Sequence, residues 1–237
     1  MNGIGMVPYA KRNETTMRPM HITICGYPRA GTSLIQHMLQ VSLGPNFVST
    51  MGDEISALDA VGIDERSRVT KRPLDIFRIG NIRRKNKNGF NKQLIFLLMV
   101  RDPRFVLTSR HEKVNGKYLI RYDMGGVESA GLVATHKSVI HHKNDGDCLV
   151  VKYEYMINSL QAVEDKLKGF GVPIIWPMAD YVKVEQYHPG EQQKPLHRPL
   201  STARKGLTPG DQVYLNRQIA ECPYINQMIE DFGYDHT

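Results

Sequence analysis

The segment HITICGYPRAGTSLIQHMLQV, residues 21–41, contains in order an apolar strand, a glycine-containing loop and a helix. We expect the strand at His21–Cys25, where a short apolar run ends at a glycine, and the helix at Thr32–Val41, where apolar residues recur with helical spacing. The loop GYPRAGTS, residues 26–33, has the frame of the phosphate-binding Walker A loop, with Thr32 in place of its lysine. This order of elements predicts the first unit of an α/β fold.

The rest of the chain alternates strand-length apolar runs with helical patterns. Leu94–Val100 is the clearest buried strand, Cys148–Tyr153 is a second, and Ser67–Thr70 is expected to be an edge strand. Helices are expected from about Pro103 with Asp102 as N-cap, at Gly126–His142, at Ser159–Phe170 with Gly171 ending it, and near Asp211–Cys222. This alternation predicts an α/β protein with a P-loop-type three-layer fold, in which helices flank a central, mostly parallel sheet.

Length and composition predict a single domain. The chain has 237 residues, of which 41% are hydrophobic and 23% charged, enough for one sizeable core. We therefore expect one domain over residues 1–237, with a flexible N-terminal segment at 1–20 and an irregular, lid-like region at 172–208. Since no apolar run has the length of a membrane-spanning helix or a signal peptide, we expect a cytoplasmic location and no membrane partner.

Charge favours an anionic ligand, whereas nothing indicates a metal. The net charge of +7 is compatible with a nucleotide, a nucleic acid or an acidic substrate. The basic run at 71–87 either guides such a ligand or forms a solvated helix face. The three cysteines lack metal-binding spacing. His136, His141 and His142 share one predicted helix, where surface or capping roles are commoner than a metal site or a catalytic base. We therefore expect no metal.

Two groups of residues have the chemistry of a phosphate site. The loop leads into a helix N-terminus, whose backbone N–H groups and positive dipole attract anions, and Arg29, Thr32 and Ser33 add donors. Arg101 follows a central strand, at the edge of a parallel sheet where ligands bind, and its planar guanidinium suits a phosphate. Ser109, two helical turns further on, can add a hydroxyl from the same face. The loop lacks the lysine that reaches the β and γ phosphates in NTPases.

These two groups resemble the nucleotide-binding motifs of the sulfotransferases that use 3′-phosphoadenosine-5′-phosphosulfate (PAPS). GYPRAGTSLIQHML is similar to the family's 5′-phosphosulfate loop, P-R-S-G-T-[ST], with an alanine in place of the usual serine. The resemblance assigns this role to Pro28, Arg29, Ala30, Gly31, Thr32 and Ser33. FLLMVRDPRFVLTSRH resembles the family's 3′-phosphate motif, which assigns that phosphate to Arg101 and Ser109.

Two later blocks extend the resemblance. CLVVKYEYM resembles the family's strand ending in YE-x-L/M, which implies that Tyr153 approaches the adenine, although a tyrosine here is as often part of the core. LSTARKGLTP resembles the segment that closes over the nucleotide, which carries over Ser201, Arg204, Lys205 and Gly206. The family string RKG-x-x-GD is one residue shorter than RKGLTPGD here, so an exposed basic turn explains this block equally well.

Within the family the chain is most similar to the protein-tyrosine sulfotransferases, over roughly residues 22–207. The shared strings are PR-GT-L, GDE, K-x-P, FLLMVRD and YE. This resemblance implies that Glu54 is the catalytic base and that Lys71 steadies the sulfuryl group, with Ser201 as a further donor. Asp53, or a histidine, is the alternative base. A carboxylate fits the role because an acceptor hydroxyl is a poor nucleophile until a base takes its proton.

The resemblance therefore implies a sulfotransferase that moves a sulfuryl group from PAPS to a hydroxyl by in-line displacement and releases 3′-phosphoadenosine-5′-phosphate (PAP). No metal is required, because arginine, lysine and helix N–H groups replace magnesium. The acceptor, whether tyrosyl peptide, carbohydrate or small molecule, is left open. Two other functions compete: a P-loop kinase or NTPase, which Thr32 argues against, and a basic nucleic-acid-binding module, for which no recognised motif is present. We expect no nucleic-acid partner.

Overall fold

The computed structural model describes residues 18–49, 54–111, 117–123, 131–183 and 206–234. A five-stranded sheet lies at the centre, and its neighbouring strands are all parallel. Its strands are β1 (Met20–Gly26), β2 (Phe47–Ser49), β3 (Ser67–Lys71), β4 (Gln93–Val100) and β7 (Cys148–Lys152), in the spatial order β2-β3-β1-β4-β7. Two short strands, β5 (Arg110–His111) and β6 (Lys117–Tyr118), form a separate antiparallel pair.

Helices connect the parallel strands, as parallel pairing requires. They are α1 (Thr32–Leu43), α2 (Ala57–Ala60), α3 (Ile79–Asn88), α4 (Pro103–Leu107), α5 (Leu132–His142), α6 (Tyr153–Asn158), α7 (Leu160–Gly169), α8 (Pro209–Glu221) and α9 (Tyr224–Asp231). Two 3₁₀ helices cover Pro73–Arg78 and Met178–Lys183. None of the described helices has both the length and the apolar character that crossing a membrane requires. The predicted α/β class with a central parallel sheet is confirmed.

The middle of the sheet forms the core. All of β1 and the last six residues of β4 are buried, which is the pattern of strands covered on both faces. In the register of these two strands, Gly26 lies opposite Met99. The loop after β1 and the residues after β4 therefore leave the sheet side by side, at the carboxyl ends of the strands, where parallel sheets bind their ligands.

The strand predicted at the edge lies inside the sheet. β3 pairs with β1 on one side and with β2 on the other. The edge strands are therefore β7 and β2, a three-residue strand without a sequence signal. The polar composition of β3 is typical of an edge strand, but its polar side chains have partners. Thr70 Oγ1 hydrogen-bonds His21 Nε2 at 2.9 Å, and Arg68 pairs with Asp64 at 2.6 Å. The edge prediction is wrong for this reason.

Two predicted helix ends are confirmed and one is wrong. The Asp102 carboxylate accepts a hydrogen bond from the backbone N–H of Arg104 and caps α4, and Gly171 directly follows the C-cap of α7. The helix predicted over Gly126–His142 begins only after Gly131, whose backbone is extended. The predicted residues before Gly131 lie outside the described chain.

The segments predicted to be flexible or irregular are described in part. β1 begins at Met20, the last residue of segment 1–20, and residues 1–17 lie outside the described chain. Of the region 172–208, residues 172–183 are described and end in a 3₁₀ helix, and the described chain resumes at Gly206.

Burial of His21 predicts that the fold loses stability in weak acid. The side chain is fully buried, and this burial, aided by the positive charges of Lys92 and Arg68, lowers the pKa of His21 from 6.5 to about 3. Below pH 6.5 the unfolded chain therefore binds a proton that the folded chain does not bind until about pH 3, so the free energy of unfolding falls across that window. Between pH 7 and pH 5 this group alone removes about 2 kcal/mol.

Urea unfolding of the wild type and of His21→Gln at pH 7 and pH 5 checks this expectation. Glutamine keeps a group that can bond Thr70 but does not titrate, so we expect the pH-dependent loss to shrink by about 2 kcal/mol in the variant. His141→Gln is the matched control, because His141 is exposed, and its loss should equal that of the wild type. Equal losses in the His21 variant and the wild type contradict the assignment.

Candidate functional site

Two glycines shape the loop between β1 and α1. Gly26 has a φ of +112°, and a Cβ there would lie 2.5 Å from the carbonyl oxygen of Met99 on β4. Gly31, directly before α1, has a φ of +81°, and a Cβ there would lie 2.6 Å from the Tyr153 ring. Conformation and space therefore both exclude a side chain at these positions. The N–H of Tyr27 donates to the Met99 carbonyl at 2.8 Å, which fixes the start of the loop against β4.

The loop leaves the N-terminus of α1 available to an anion. Gly31 is the N-cap of this 12-residue helix and makes no side-chain cap, so it leaves the first N–H groups of the helix their hydrogen-bonding capacity. The helix dipole adds positive potential at the same point. Thr32 is buried whereas Ser33 is exposed, so Ser33 is the hydroxyl that a ligand reaches from solvent.

Arg29 supplies the positive charge of the loop and has a strained backbone. Its φ of +62° lies in the left-handed region, which residues other than glycine rarely adopt and which is common at functional positions. Its Nε donates to the Ser109 hydroxyl at 3.0 Å, and its carbonyl accepts from Arg101 Nη1 at 3.0 Å. The loop, the residue after β4 and the serine after α4 therefore form one connected group.

Arg101 lies over the ring of Tyr153. Its Cζ is 4.4 Å from the ring centre, a cation–π contact, and its Nε is 4.0 Å from the Glu154 carboxylate. The same tyrosine ring contacts Gly31. Arg29 and Arg101 thus lie next to the N-terminus of α1, and together they concentrate positive charge at this edge of the sheet.

Two of these residues differ from prediction in their local structure. Tyr153 is the first residue of α6 rather than the last residue of a strand, because the pairing of β7 ends at Lys152, opposite Val100. Ser109 lies beyond α4 rather than on it, because that helix ends at Leu107. Both side chains still contact the arginines of the site.

Lys71 joins the site from the neighbouring strand. It is the last residue of β3, is 5% exposed, and its ammonium donates to Ser33 Oγ at 3.2 Å. In the register of β3 and β1, Lys71 lies opposite Ile24, so its place beside the loop results from strand pairing. A buried lysine near a helix N-terminus is opposed by the helix dipole, and a bound anion relieves that cost.

Glu54, the predicted base, has an exposed side chain at the start of the described segment 54–111. Among the described residues, no hydrogen bond or ion pair joins Glu54 to the loop or to Lys71. Asp53, the alternative base, lies outside the described residues. The role of Glu54 therefore stays a prediction.

Asp75 fixes the segment that follows Glu54, and no sequence motif indicates this role. It lies in the 3₁₀ helix after β3 and is fully buried. Its carboxylate accepts from the Ala57 N–H at 2.6 Å and from the Ser56 hydroxyl at 3.3 Å, and so caps α2, a role that the side chain of the N-cap residue does not fill. Burial raises the pKa of Asp75 although these hydrogen bonds oppose it. Asp75 thereby links α2, which follows Glu54 in the chain, to the 3₁₀ helix that follows Lys71.

A series of hydrogen bonds between side chains holds Tyr27, the second residue of the loop. The Tyr27 hydroxyl hydrogen-bonds His136 Nδ1 at 2.5 Å, and His136 Nε2 bonds Asp231 of α9 at 2.8 Å. Because a carboxylate only accepts, Nε2 carries the proton and Nδ1 accepts from the tyrosine. Burial lowers the pKa of His136 although Asp231 opposes this shift. The prediction of a surface or capping histidine is wrong here, since His136 is fully buried.

The fourth sequence block ends beside the 3′-phosphate motif. Ser201, Arg204 and Lys205 lie outside the described residues, and Gly206 is the first described residue after them. The N-cap of α8, Thr208, lies two residues further on and forms a capping box with Asp211, which stabilises the start of the helix. The structure therefore describes only the end of this block, from Gly206 onward.

Asp211 attaches the start of α8 to the residue after Ser109. Its carboxylate accepts from Arg110 at 3.1 Å and from the Tyr118 hydroxyl at 2.8 Å. Burial opposes ionisation, but hydrogen bonds from Tyr118 and Thr208 outweigh it and lower the pKa of Asp211 to about 2. The residues at the end of the fourth block are therefore attached to Arg110, which follows Ser109 in the chain.

Three described residues with side chains of the types that bind metals lie close together. Asp145, Asp147 and Cys148 have ligand atoms within 4.8 Å of one another. Arg83 of α3 pairs with Asp145 at 2.8 Å and, at closer range, with Asp147. Because one guanidinium pairs with both carboxylates, this group is an ion-pair cluster between α3 and the residues that lead into β7.

Comparison with known proteins identifies a fold but no sequence family. No protein-family model matches the sequence, and no curated protein matches it. The structure is similar to the mouse sulfotransferase SULT7A1 complexed with PAP, with a TM-score of 0.55, 15% identity and coverage of 90% of this chain and 89% of that one. It is also similar to the sulfotransferase domain of the Synechococcus PCC 7002 olefin synthase, with a TM-score of 0.53, 13% identity and coverage of 93% and 97%. This chain has the sulfotransferase fold.

Proposed function

We propose that this protein is a sulfotransferase that transfers a sulfuryl group from PAPS to an acceptor hydroxyl. The observation that carries the proposal is the contact between Arg29, Ser109 and Arg101. It joins the residues that the sequence motifs assign to the 5′-phosphosulfate and to the 3′-phosphate, as a nucleotide with both groups requires. The shared fold with a sulfotransferase complexed with PAP supports the same assignment.

The nucleotide is bound by three groups of residues. Residues 28–33 bind the 5′-phosphosulfate through the free N–H groups at the start of α1, and Arg101 and Ser109 bind the 3′-phosphate. Tyr153, which lies between Gly31 and Arg101, approaches the adenine. Arg204, Lys205 and Gly206 are further residues of the nucleotide site in this proposal. The cations of the site neutralise the phosphates, so no metal ion enters this scheme.

The transfer forms a bond between the acceptor oxygen and sulfur and breaks the bond between sulfur and the bridging oxygen of PAPS. Glu54 takes the acceptor proton as the new bond forms, and PAP leaves with negative charge on its bridging oxygen. Lys71, Arg29 and Ser201 are the donors that stabilise this charge. Lys71 is already held at Ser33, on the first turn of α1.

The acceptor is a hydroxyl of a tyrosyl peptide, a carbohydrate or a small molecule, and no nucleic acid or membrane takes part. Glu54 is exposed, so an acceptor of any of these sizes reaches the base from solvent. A cytoplasmic location is part of the proposal. The cationic site would otherwise suit any nucleotide, so the 3′-phosphate is the feature that a test must isolate.

Thermal unfolding in the presence of PAP, 5′-ADP or ATP with magnesium tests the nucleotide assignment. A ligand at about 100 times its Kd adds ~2.7 kcal/mol, which raises the midpoint of a domain of this size by roughly 5–10 °C. We expect PAP to produce this shift and the other two nucleotides to produce little. A larger shift with ATP and magnesium would replace the proposal with a kinase-like function.

Arg101→Ala in the same assay ties the shift to the site. Removing this guanidinium should weaken PAP binding by about 1.5–3 kcal/mol, the scale of hydrogen bonds to a charged group. Arg84→Ala removes an exposed arginine of α3 and is the control that should keep the full shift. An undiminished shift in the Arg101 variant removes Arg101 from the site.

A further inference from the structure

We propose that Glu154 and Tyr234 position Arg101 and thereby set the preference of the site for a nucleotide with a 3′-phosphate. The inference rests on the proposed function, because it concerns the phosphate assigned to Arg101. Neither residue has a phosphate-binding role in the sequence motifs. Both are positioning residues, since they act through the arginine.

Glu154 lies at the centre of the contacts around Arg101. It is on the first turn of α6. Its Oε1 accepts from the backbone N–H of Asp102 at 3.2 Å and lies 4.0 Å from Arg101 Nε. Its Oε2 accepts from the Tyr234 hydroxyl at 2.9 Å. One carboxylate therefore connects the arginine, the residue after it and the segment that follows α9.

Tyr234 holds this carboxylate in place. Its ring centre is 5.4 Å from Lys152 Nζ, and the same ammonium donates to the carbonyl of Phe232, so the segment after α9 is attached to the end of β7. Burial, followed by the charge of Glu154, raises the pKa of Tyr234 far above its usual value. The hydroxyl therefore stays protonated and remains a donor to Glu154 at physiological pH.

These contacts restrict the orientation of the Arg101 guanidinium. Tyr153 lies under its plane, Arg29 accepts from its Nη1, and Glu154 faces its Nε. The arginine side chain is 19% exposed, so only one part of it is open to a ligand. A guanidinium held in this way presents its N–H groups to a phosphate in one direction and loses little rotamer freedom on binding.

The affinities of PAP and 5′-AMP, which differ only in the 3′-phosphate, measure this effect by titration calorimetry. For Glu154→Gln we expect PAP to bind about tenfold more weakly, the scale of one hydrogen bond to a charged group, with unchanged binding of AMP. Charge alone predicts the opposite, because removing an anion beside Arg101 strengthens its attraction for a phosphate. Tyr234→Phe, which changes no charge, should weaken PAP selectively in the same way.

Tyr155→Phe is the matched control, because Tyr155 is an exposed tyrosine on the same helix α6, and it should leave both affinities unchanged. Thermal midpoints of the three variants without nucleotide show whether the fold is intact. Equal weakening of PAP and AMP, or tighter PAP binding in Glu154→Gln, overturns the inference while the proposed function stands. A wild type that binds PAP no better than AMP has no 3′-phosphate site, and both proposals then fail.

Discussion

Glu54→Gln is expected to lower turnover by ~10²–10⁴-fold, the usual contribution of a general base, while PAP binding is nearly unchanged. Glutamine keeps the size of the side chain but takes no proton from the acceptor. Because Glu54 is exposed, the substitution breaks no buried contact and the fold should be retained. PAP release from PAPS, measured with a tyrosyl peptide, a sugar and a phenol as acceptor probes, gives the turnover, and the PAP-induced thermal shift gives the binding.

Two further variants decide whether the loss belongs to Glu54. Glu65→Gln is the same substitution at another exposed carboxylate and should leave turnover unchanged. Asp53→Asn tests the neighbouring carboxylate. Full turnover in Glu54→Gln together with a loss in Asp53→Asn would transfer the role to Asp53, and full turnover in both would exclude a carboxylate base from this segment.

Lys71→Met is expected to lower turnover by ~10²–10³-fold, the typical cost of removing one donor that stabilises charge in the transition state. Methionine fills the space of the lysine stem, so the 5% exposed position remains packed while the charge beside Ser33 is lost. PAP should still bind through the loop and the two arginines, although more weakly, because the positive charge of Lys71 beside Ser33 is lost. Single-turnover conversion of PAPS to PAP measures the chemical step directly.

Lys87→Met is the control for this variant, since Lys87 is exposed in the last turn of α3. Its turnover should equal that of the wild type. If Lys71→Met binds PAP normally and turns over at the wild-type rate, Lys71 is a structural residue of β3. If PAP binding is lost together with turnover, the lysine holds the nucleotide rather than the transition state.

Local sequence signals predicted the central elements of the fold. β1 and β4 are apolar and buried on both faces, and glycines and an aspartate mark the ends of the elements around them. The failures occur where a long-range partner decides the outcome. β3 is polar, yet it lies inside the sheet, where Thr70 bonds His21, 49 positions earlier in the chain. β7 ends one residue earlier than predicted because strand pairing stops at Lys152, which the sequence CLVVKY does not reveal.

In the candidate site, too, residues with local sequence signals were predicted and residues that depend on long-range partners were not. The loop, Arg101, Ser109 and Lys71 were recognisable as motifs because their chemistry is local, and the structure brings all of them together. The supporting residues were not recognisable. His136 bonds Tyr27, which is 109 positions away in the sequence, and Asp231, which is 95 positions away. Asp75 caps a helix 18 positions earlier. No periodicity or spacing within a window of sequence indicates such partners.

The contacts of α9 and the segment after it also have a consequence for the order of folding. A ribosome releases the phosphate loop early and Asp231 and Tyr234 late, yet these two residues complete the partners of His136 and Glu154. A nascent chain that lacks them can form β1, the loop and α1, but the tautomer of His136 is not fixed and Glu154 lacks a hydrogen-bond donor. In the proposed scheme, the contacts that position Arg101 are therefore completed only after Tyr234 has been synthesised.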